Sequence, residues 1–316
     1  MSFLTELPED FYARDALRGF DPAGPFSLGT ARAMMWLSQL AYESSPDKID
    51  TIRQLWNLDS AVMVPGAIST HVGILGTAAI VAARPDAVII AFGGTDPIRL
   101  ANWITDFSVD LPPRDTHSGF QDATDAIWSK LSSQIAALRS SGNVAPLFLT
   151  GHSLGGALAV LTAEKAAQNE HVAGIYTFGM PRVGRTGFTA RYASLTDRTF
   201  RLHFGQDIVP TVPMPEAGFR HVGLYLHCPA GRFAEVGQDP QPSNEPALVQ
   251  RLLDEVRNFL RRPSPLGLPS LSLVRMILPN FLNPAPSSRP DLLGVFLEQF
   301  PPAIRDHLPH RYLGAL

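Results

Sequence analysis

Ser153 stands in Gly151-His152-Ser153-Leu154-Gly155, with a glycine two places to either side. The run before it (VAPLFLT, 144–150) is apolar and reads as a strand, and the Ala- and Leu-rich run after it (154–168) reads as a helix. A serine at such a strand-to-helix turn is held in a strained backbone conformation with its hydroxyl exposed. Side chains two residues to either side would collide, which explains the glycines. The helix opening at Leu154 aims its first amide N–H groups and its dipole at negative charge developing beside the serine. The chemistry implied is nucleophilic attack on a carbonyl, with the Leu154 N–H as one donor to the oxyanion.

Such a serine needs a base, and the base needs an orienting carboxylate, in the chain order Ser, acid, His. Asp207 follows the apolar stretch RTFRLHF (198–204), just past what reads as a strand end, where it can reach a neighbouring loop. Of nine histidines, His221, His227, His307 and His310 follow Asp207. His221 and His227 lie on a predicted strand and could equally make structural hydrogen bonds. His152, next to the serine, is expected to point away from it and pack. His71 and His171 read as ordinary surface histidines.

The elements that must position these groups alternate. Helices are expected over 29–43, 120–140 and 154–168. Strands are expected over 71–82, 87–92, 144–150, 172–178, 198–204 and 221–227. This alternation predicts an α/β fold with a mostly parallel sheet flanked by helices, in one domain spanning 1–316. In such sheets ligands bind outside the carboxyl ends of the strands. Gly93-Gly94-Thr95, the Ser153 turn and Gly205-Gln206-Asp207 all fall at such ends.

Five stretches occur in order: Asn102–Phe107 (NWITDF), His117–Phe120 (HSGF), Thr150–Gly156 (TGHSLGG), Thr177–Gly184 (TFGMPRVG) and Asp207–Pro210 (DIVP). Together they resemble the class 3 lipases, α/β hydrolases typified by fungal triacylglycerol lipases. The resemblance covers about residues 29–230, plus a short C-terminal piece. It implies an α/β-hydrolase fold and supports Asp207 as the acid. The terminal Asp306-His307…Tyr312 is similar to the family's D-H-x-x-x-x-Y segment, which implies His307 as the base, with His221 and His310 as the alternatives. Thr95 is implied as the second oxyanion donor, and Asp106 as a support for its hydroxyl, with an exposed helix acid as the other reading of Asp106. Relatives often carry Arg where this chain has Gly93, so the support of that loop is open. Residues 96–111 correspond to the family's short lid, and a fixed core-facing helix is the other reading of them.

The long separation between Asp207 and His307 holds a Pro-rich insertion (238–300), expected to consist of short helices over 247–262, 271–282 and 291–300. Of 28 prolines, 13 fall within 240–310. The segment is too apolar for a disordered linker. It is expected to pack on the core, carry His307 back to the site and contribute to the pocket; a cap or interfacial patch formed by 266–283 is the alternative.

Composition bounds the rest. A net charge of −3, from 26 Lys+Arg and 29 Asp+Glu, excludes a strongly basic nucleic-acid footprint. A single cysteine excludes an intramolecular disulfide and a multi-Cys zinc site, and no metal or cofactor motif is present, so none is expected. No signal peptide or transmembrane run is read, so a cytoplasmic or non-classically exported protein is expected. The expected function is a serine carboxylic-ester hydrolase acting on acylglycerols or other lipid esters, with a lipid–water interface as a possible partner. A feruloyl-type esterase, an acyltransferase on the same triad and a non-catalytic lipid-binding protein are the alternatives.

Overall fold

The computed structural model describes residues 6–24, 26–66, 78–94, 114–233 and 301–316. Thr95, Asp106, His71, the 96–111 lid reading and the 238–300 insertion with its helices lie outside the described residues.

A seven-stranded sheet organises the chain, with strands β1 (Ser60–Pro65), β2 (Ala78–Ala83), β3 (Val88–Phe92), β4 (Leu147–His152), β5 (Val172–Phe178), β6 (Thr199–Phe204) and β7 (Leu224–Cys228) side by side in sequence order. The pairs β1·β2 and β2·β3 are antiparallel, and every pair from β3 to β7 is parallel. Such a parallel block needs both faces covered, and β3 and β4 are accordingly buried at every position. Alternate residues enter different cores. Ile90 and Phe92 pack with α3 (Ser118–Ser140) and α4 (Leu154–Ala166), through Phe120, Ile127, Leu131, Leu158 and Leu161. Ile89 and Ala91 share the opposite core with Met34 and Leu37 of α1 (Leu28–Leu40) and with Tyr312 of the C-terminal helix. This is the α/β-hydrolase architecture.

The helices begin where local chemistry supports them. Ser27 accepts a hydrogen bond from the Thr30 amide to start α1. Ser45 accepts from Lys48, with Pro46 at the first position, to start α2 (Pro46–Leu55). A short helix α5 (Thr186–Arg191) precedes β6. The chain ends in α6 (Pro302–Arg305) and α7 (Pro309–Ala315), separated by a three-residue joint that contains His307.

Some boundaries differ from the sequence reading. The strand expected at 144–150 runs from Leu147 to His152, because Pro146 has no N–H to give a ladder and Val144 is exposed. The strand expected at 221–227 starts at Leu224, after Gly223 turns at φ 84° against Thr199. Helix α2 and strand β1 were not anticipated: their apolar positions are few and sit at an edge of the sheet. No helix among the described residues is long and apolar enough to cross a membrane.

Candidate active site

Strand β4 ends at His152, helix α4 begins at Leu154, and Ser153 between them has φ 59° and ψ −129°. A non-glycine residue at positive φ costs on the order of 1–3 kcal/mol and persists only where its surroundings dictate it. Here the surroundings are backbone. The Ser153 amide donates to the Phe178 carbonyl at 2.8 Å, and its carbonyl accepts from Gly156 at 3.0 Å. A Cβ on Gly151 would lie 2.1 Å from the Gly155 carbonyl oxygen, and one on Gly155 would lie 2.4 Å from that of Phe92. Both glycines are therefore required by the tightness of the turn, as the sequence implied. The Ser153 side chain makes no capping bond to its helix, so its Oγ is left for other work.

Asp207 follows β6 through Gly205, which has φ 58° and no room for a side chain beside Asp306. The Asp207 carboxylate is 1% exposed. Its Oδ1 accepts from the Val209 amide at 2.9 Å. Its Oδ2 accepts from His307 Nδ1 at 2.8 Å and from the Tyr312 hydroxyl at 2.6 Å. Three donors from two chain segments thus hold one buried carboxylate, the environment a buried anion needs.

His307 reaches Asp207 because the C-terminal segment is tied to the β6 loop at two points. The Ile208 amide donates to the Ala303 carbonyl at 3.1 Å, and the Gln206 amide donates to Asp306 Oδ2 at 3.0 Å. With Nδ1–H donating to the carboxylate, His307 Nε2 carries the lone pair. Both His307 Nε2 and Ser153 Oγ are buried without a hydrogen-bond partner among the described residues. The Asp207–His307 pair is therefore formed, and no hydrogen bond joins Ser153 Oγ to His307 Nε2 in this geometry.

Gly179 joins the two halves. It follows Phe178, which holds the Ser153 amide, and it has φ 59°. A Cβ there would lie 2.6 Å from Asp207 Oδ2 and 2.9 Å from His307 Nδ1. Glycine is thus the floor on which Asp207 and His307 meet. Sequence reasoning missed this role, although Gly179 sits in the quoted TFGMPRVG stretch. It also missed Tyr312, whose only signal was the terminal D-H-x-x-x-x-Y pattern.

The other histidines are engaged elsewhere. His221 Nε2 donates to the Pro210 carbonyl at 2.8 Å, and burial holds its pKa well below the usual range. His203 donates through Nε2 to the Asp207 carbonyl at 3.0 Å and accepts from the Tyr225 hydroxyl at 2.8 Å. His310 and His171 are exposed. His152 is buried, and its Nδ1 lies 2.7 Å from the Tyr42 hydroxyl.

The chain after β3 passes over the serine. A Cβ on Gly94 would lie 2.9 Å from Ser153 Cβ and 2.3 Å from the Tyr42 hydroxyl. A Cβ on Gly93 would lie 2.6 Å from the Ala41 carbonyl oxygen. Close backbone packing on Ala41 and Tyr42 leaves no place for a side chain at Gly93, and itself supports this loop. Leu154 is buried at the start of α4, directly after the serine.

Comparison with known proteins places residues 89–217 in a match to the family Lipase (class 3). The secreted mono- and diacylglycerol lipase 1 of Fusarium solani is 31% identical over 169 residues, covering 52% of this chain and 50% of that protein. A lipase of Rhizomucor miehei is 35% identical over 148 residues, covering 43% of this chain and 40% of that protein. The chain thus spans half or less of the length of these two relatives. Among solved structures, the lipase from Rhizopus microsporus var. chinensis aligns with a TM-score of 0.55 at 18% identity, over 77% of this chain and 90% of the other, a likeness of fold.

Proposed function

We propose, from the match of residues 89–217 to the class 3 lipases, that the chain hydrolyses carboxylic esters of lipids, acylglycerols among them. The observation that carries this reading is the convergence of a strained Ser153 with a buried Asp207–His307 pair at 2.8 Å, on either side of Gly179. The Fusarium mono- and diacylglycerol lipase and the Rhizomucor lipase suggest the substrate class.

In this mechanism Ser153 Oγ attacks the ester carbonyl as His307 Nε2 takes its proton. Asp207, held by Val209 and Tyr312, keeps the proton on Nδ1 and stabilises the imidazolium that forms. The carbonyl oxygen becomes an oxyanion, which accepts from the Leu154 amide at the head of α4 and from Thr95, the residue after Gly94; Asp106 is assigned to hold the Thr95 hydroxyl. His307 then returns the proton to the leaving alkoxide. A water, deprotonated by the same Nε2, cleaves the acyl-enzyme and releases the acid and free Ser153.

A chain-length series of p-nitrophenyl esters, assayed with wild type and Ser153→Ala, tests the reading. Hydrolysis is expected in wild type, with a loss of at least about 10³-fold in kcat on removing the nucleophile. Undiminished hydrolysis by Ser153→Ala would sink the mechanism. Acyl transfer to an added alcohol in preference to water would make the protein an acyltransferase.

A further inference from the structure

His152 is bonded at both ring nitrogens, and one of its partners is the backbone of His307. Its Nε2 lies 2.7 Å from the His307 carbonyl oxygen, and its Nδ1 lies 2.7 Å from the Tyr42 hydroxyl. The two imidazole rings face one another with centroids 4.6 Å apart, tilted by 36°. The His152 ring is 2% exposed. A carbonyl oxygen can only accept, so Nε2 carries the hydrogen. In the neutral ring Nδ1 must then accept, and Tyr42 donates to it. Burial, followed by the neighbouring His307, holds the His152 pKa well below its usual range, which keeps the ring neutral and this tautomer in place.

The position of this bond gives it a consequence. His307 sits in the short joint between α6 and α7. Its imidazole is held at Nδ1 by Asp207, a bond to the ring that leaves the backbone of His307 to be fixed by other contacts. A second grip on the carbonyl of the same residue fixes the backbone from which the ring projects. That second grip comes from the residue covalently joined to Ser153, so nucleophile and base are referenced to one rigid point. The same point touches the loop carrying the second oxyanion donor: a Cβ on Gly94 would lie 2.7 Å from the His152 carbonyl oxygen and 2.3 Å from the Tyr42 hydroxyl.

We propose that His152 is a positioning residue of the ester-hydrolysing site, holding His307 in register with Ser153 through its Nε2–H while Tyr42 sets its tautomer. The proposal rests on the hydrolase reading above. A misplacement of about 1 Å at reacting atoms costs on the order of 10²-fold in rate, so the effect belongs in kcat rather than in substrate affinity.

The test compares wild type, His152→Leu, His152→Gln, Tyr42→Phe and Ser153→Ala on p-nitrophenyl butyrate, reading kcat, KM and Tm. His152→Leu, which keeps bulk and loses the donor, is expected to lower kcat about 10²-fold with KM within about twofold. His152→Gln, which retains a donor, is expected to recover about tenfold of that loss at a Tm similar to the leucine variant. A purely structural role would not separate Leu from Gln at equal Tm. Tyr42→Phe, which keeps the fold-defining side chains, is expected to lower kcat about three- to tenfold with KM unchanged. Equal kcat in His152→Leu and His152→Gln overturns the proposal, as does a kcat within about threefold of wild type in His152→Leu or, should neither His152 variant fold, an unchanged kcat in Tyr42→Phe. In all these cases wild type remains active and Ser153→Ala inactive. A wild type inert toward esters, or an active Ser153→Ala, instead overturns the hydrolase reading and the positioning role with it.

Discussion

Tyr312 and Gly179 decide how Asp207 can behave, although neither would react. The Tyr312 hydroxyl donates to Asp207 Oδ2 at 2.6 Å and accepts from the Phe204 amide at 3.2 Å. Its ionisation is suppressed by burial and then by the Asp207 charge, so it remains a donor. Tyr312→Phe removes this charge-assisted bond, worth about 1.5–3 kcal/mol, together with the bond from the Phe204 amide, and leaves the other two donors to Asp207. The expected outcome in steady-state ester hydrolysis is a roughly tenfold fall in kcat with little change in KM, because the carboxylate gains freedom to turn away from His307. Gly179→Ala is expected to be worse. Its Cβ would enter the space of Asp207 Oδ2 and His307 Nδ1, at a φ of 59° that alanine also resists. A loss of about 10²-fold or more in kcat is predicted, together with a lowered Tm in a thermal melt.

At the scale of elements, the segment before α1 is held by one buried acid. Glu43, 1% exposed just past the end of α1, accepts from the Leu7 amide at 2.9 Å and from the Tyr12 hydroxyl at 2.6 Å. Its other oxygen pairs with Lys48 Nζ at 2.6 Å, and Lys48 also donates to the Leu7 carbonyl. The carboxylate thus fastens residues 7–12 to α1 and α2. Replacing it with leucine takes the acceptor from the Leu7 amide and the Tyr12 hydroxyl and the counter-ion from the Lys48 ammonium. Breaking such a buried pair costs about 3–5 kcal/mol. Limited proteolysis is expected to cut Glu43→Leu within about residues 6–20 well before wild type.

For the molecule as a whole, buried neutral histidines set its response to acid. His117, 4% exposed and stacked 4.2 Å from the Phe120 ring, has its pKa pushed down to about 4 by burial. Burial lowers His152 and His221 as well. A histidine whose folded pKa is depressed binds its proton more readily in the unfolded chain. Stability is therefore complete above the unfolded value of about 6.5 and falls as pH drops from there towards 4. For His117 alone the loss amounts to at most about 3 kcal/mol. Urea unfolding between pH 7 and pH 4.5 is expected to show this decline in wild type and a shallower one in His117→Phe. Identical slopes would remove His117 as a contributor.

Local rules made much of the frame legible. The Ser153 turn, its two glycines, and the strand and helix around it could be read because steric demands at a tight turn act over a few neighbouring residues. The continuous apolar run of β3 could be read because a strand covered on both faces leaves no polar position. Asp207 was visible at a strand end, where an α/β sheet places its chemistry. The sequence could not choose His307 from its residues alone, since a histidine a hundred positions from its acid carries no local mark of the contact; a family resemblance was needed to single it out. The floor at Gly179, the Tyr312 hydroxyl on Asp207 and the His152 bond to the His307 carbonyl came only from the tertiary structure. Each joins segments far apart in the chain, and hydrogen bonding and steric contact are set by distance in space, which residue types and spacing do not contain.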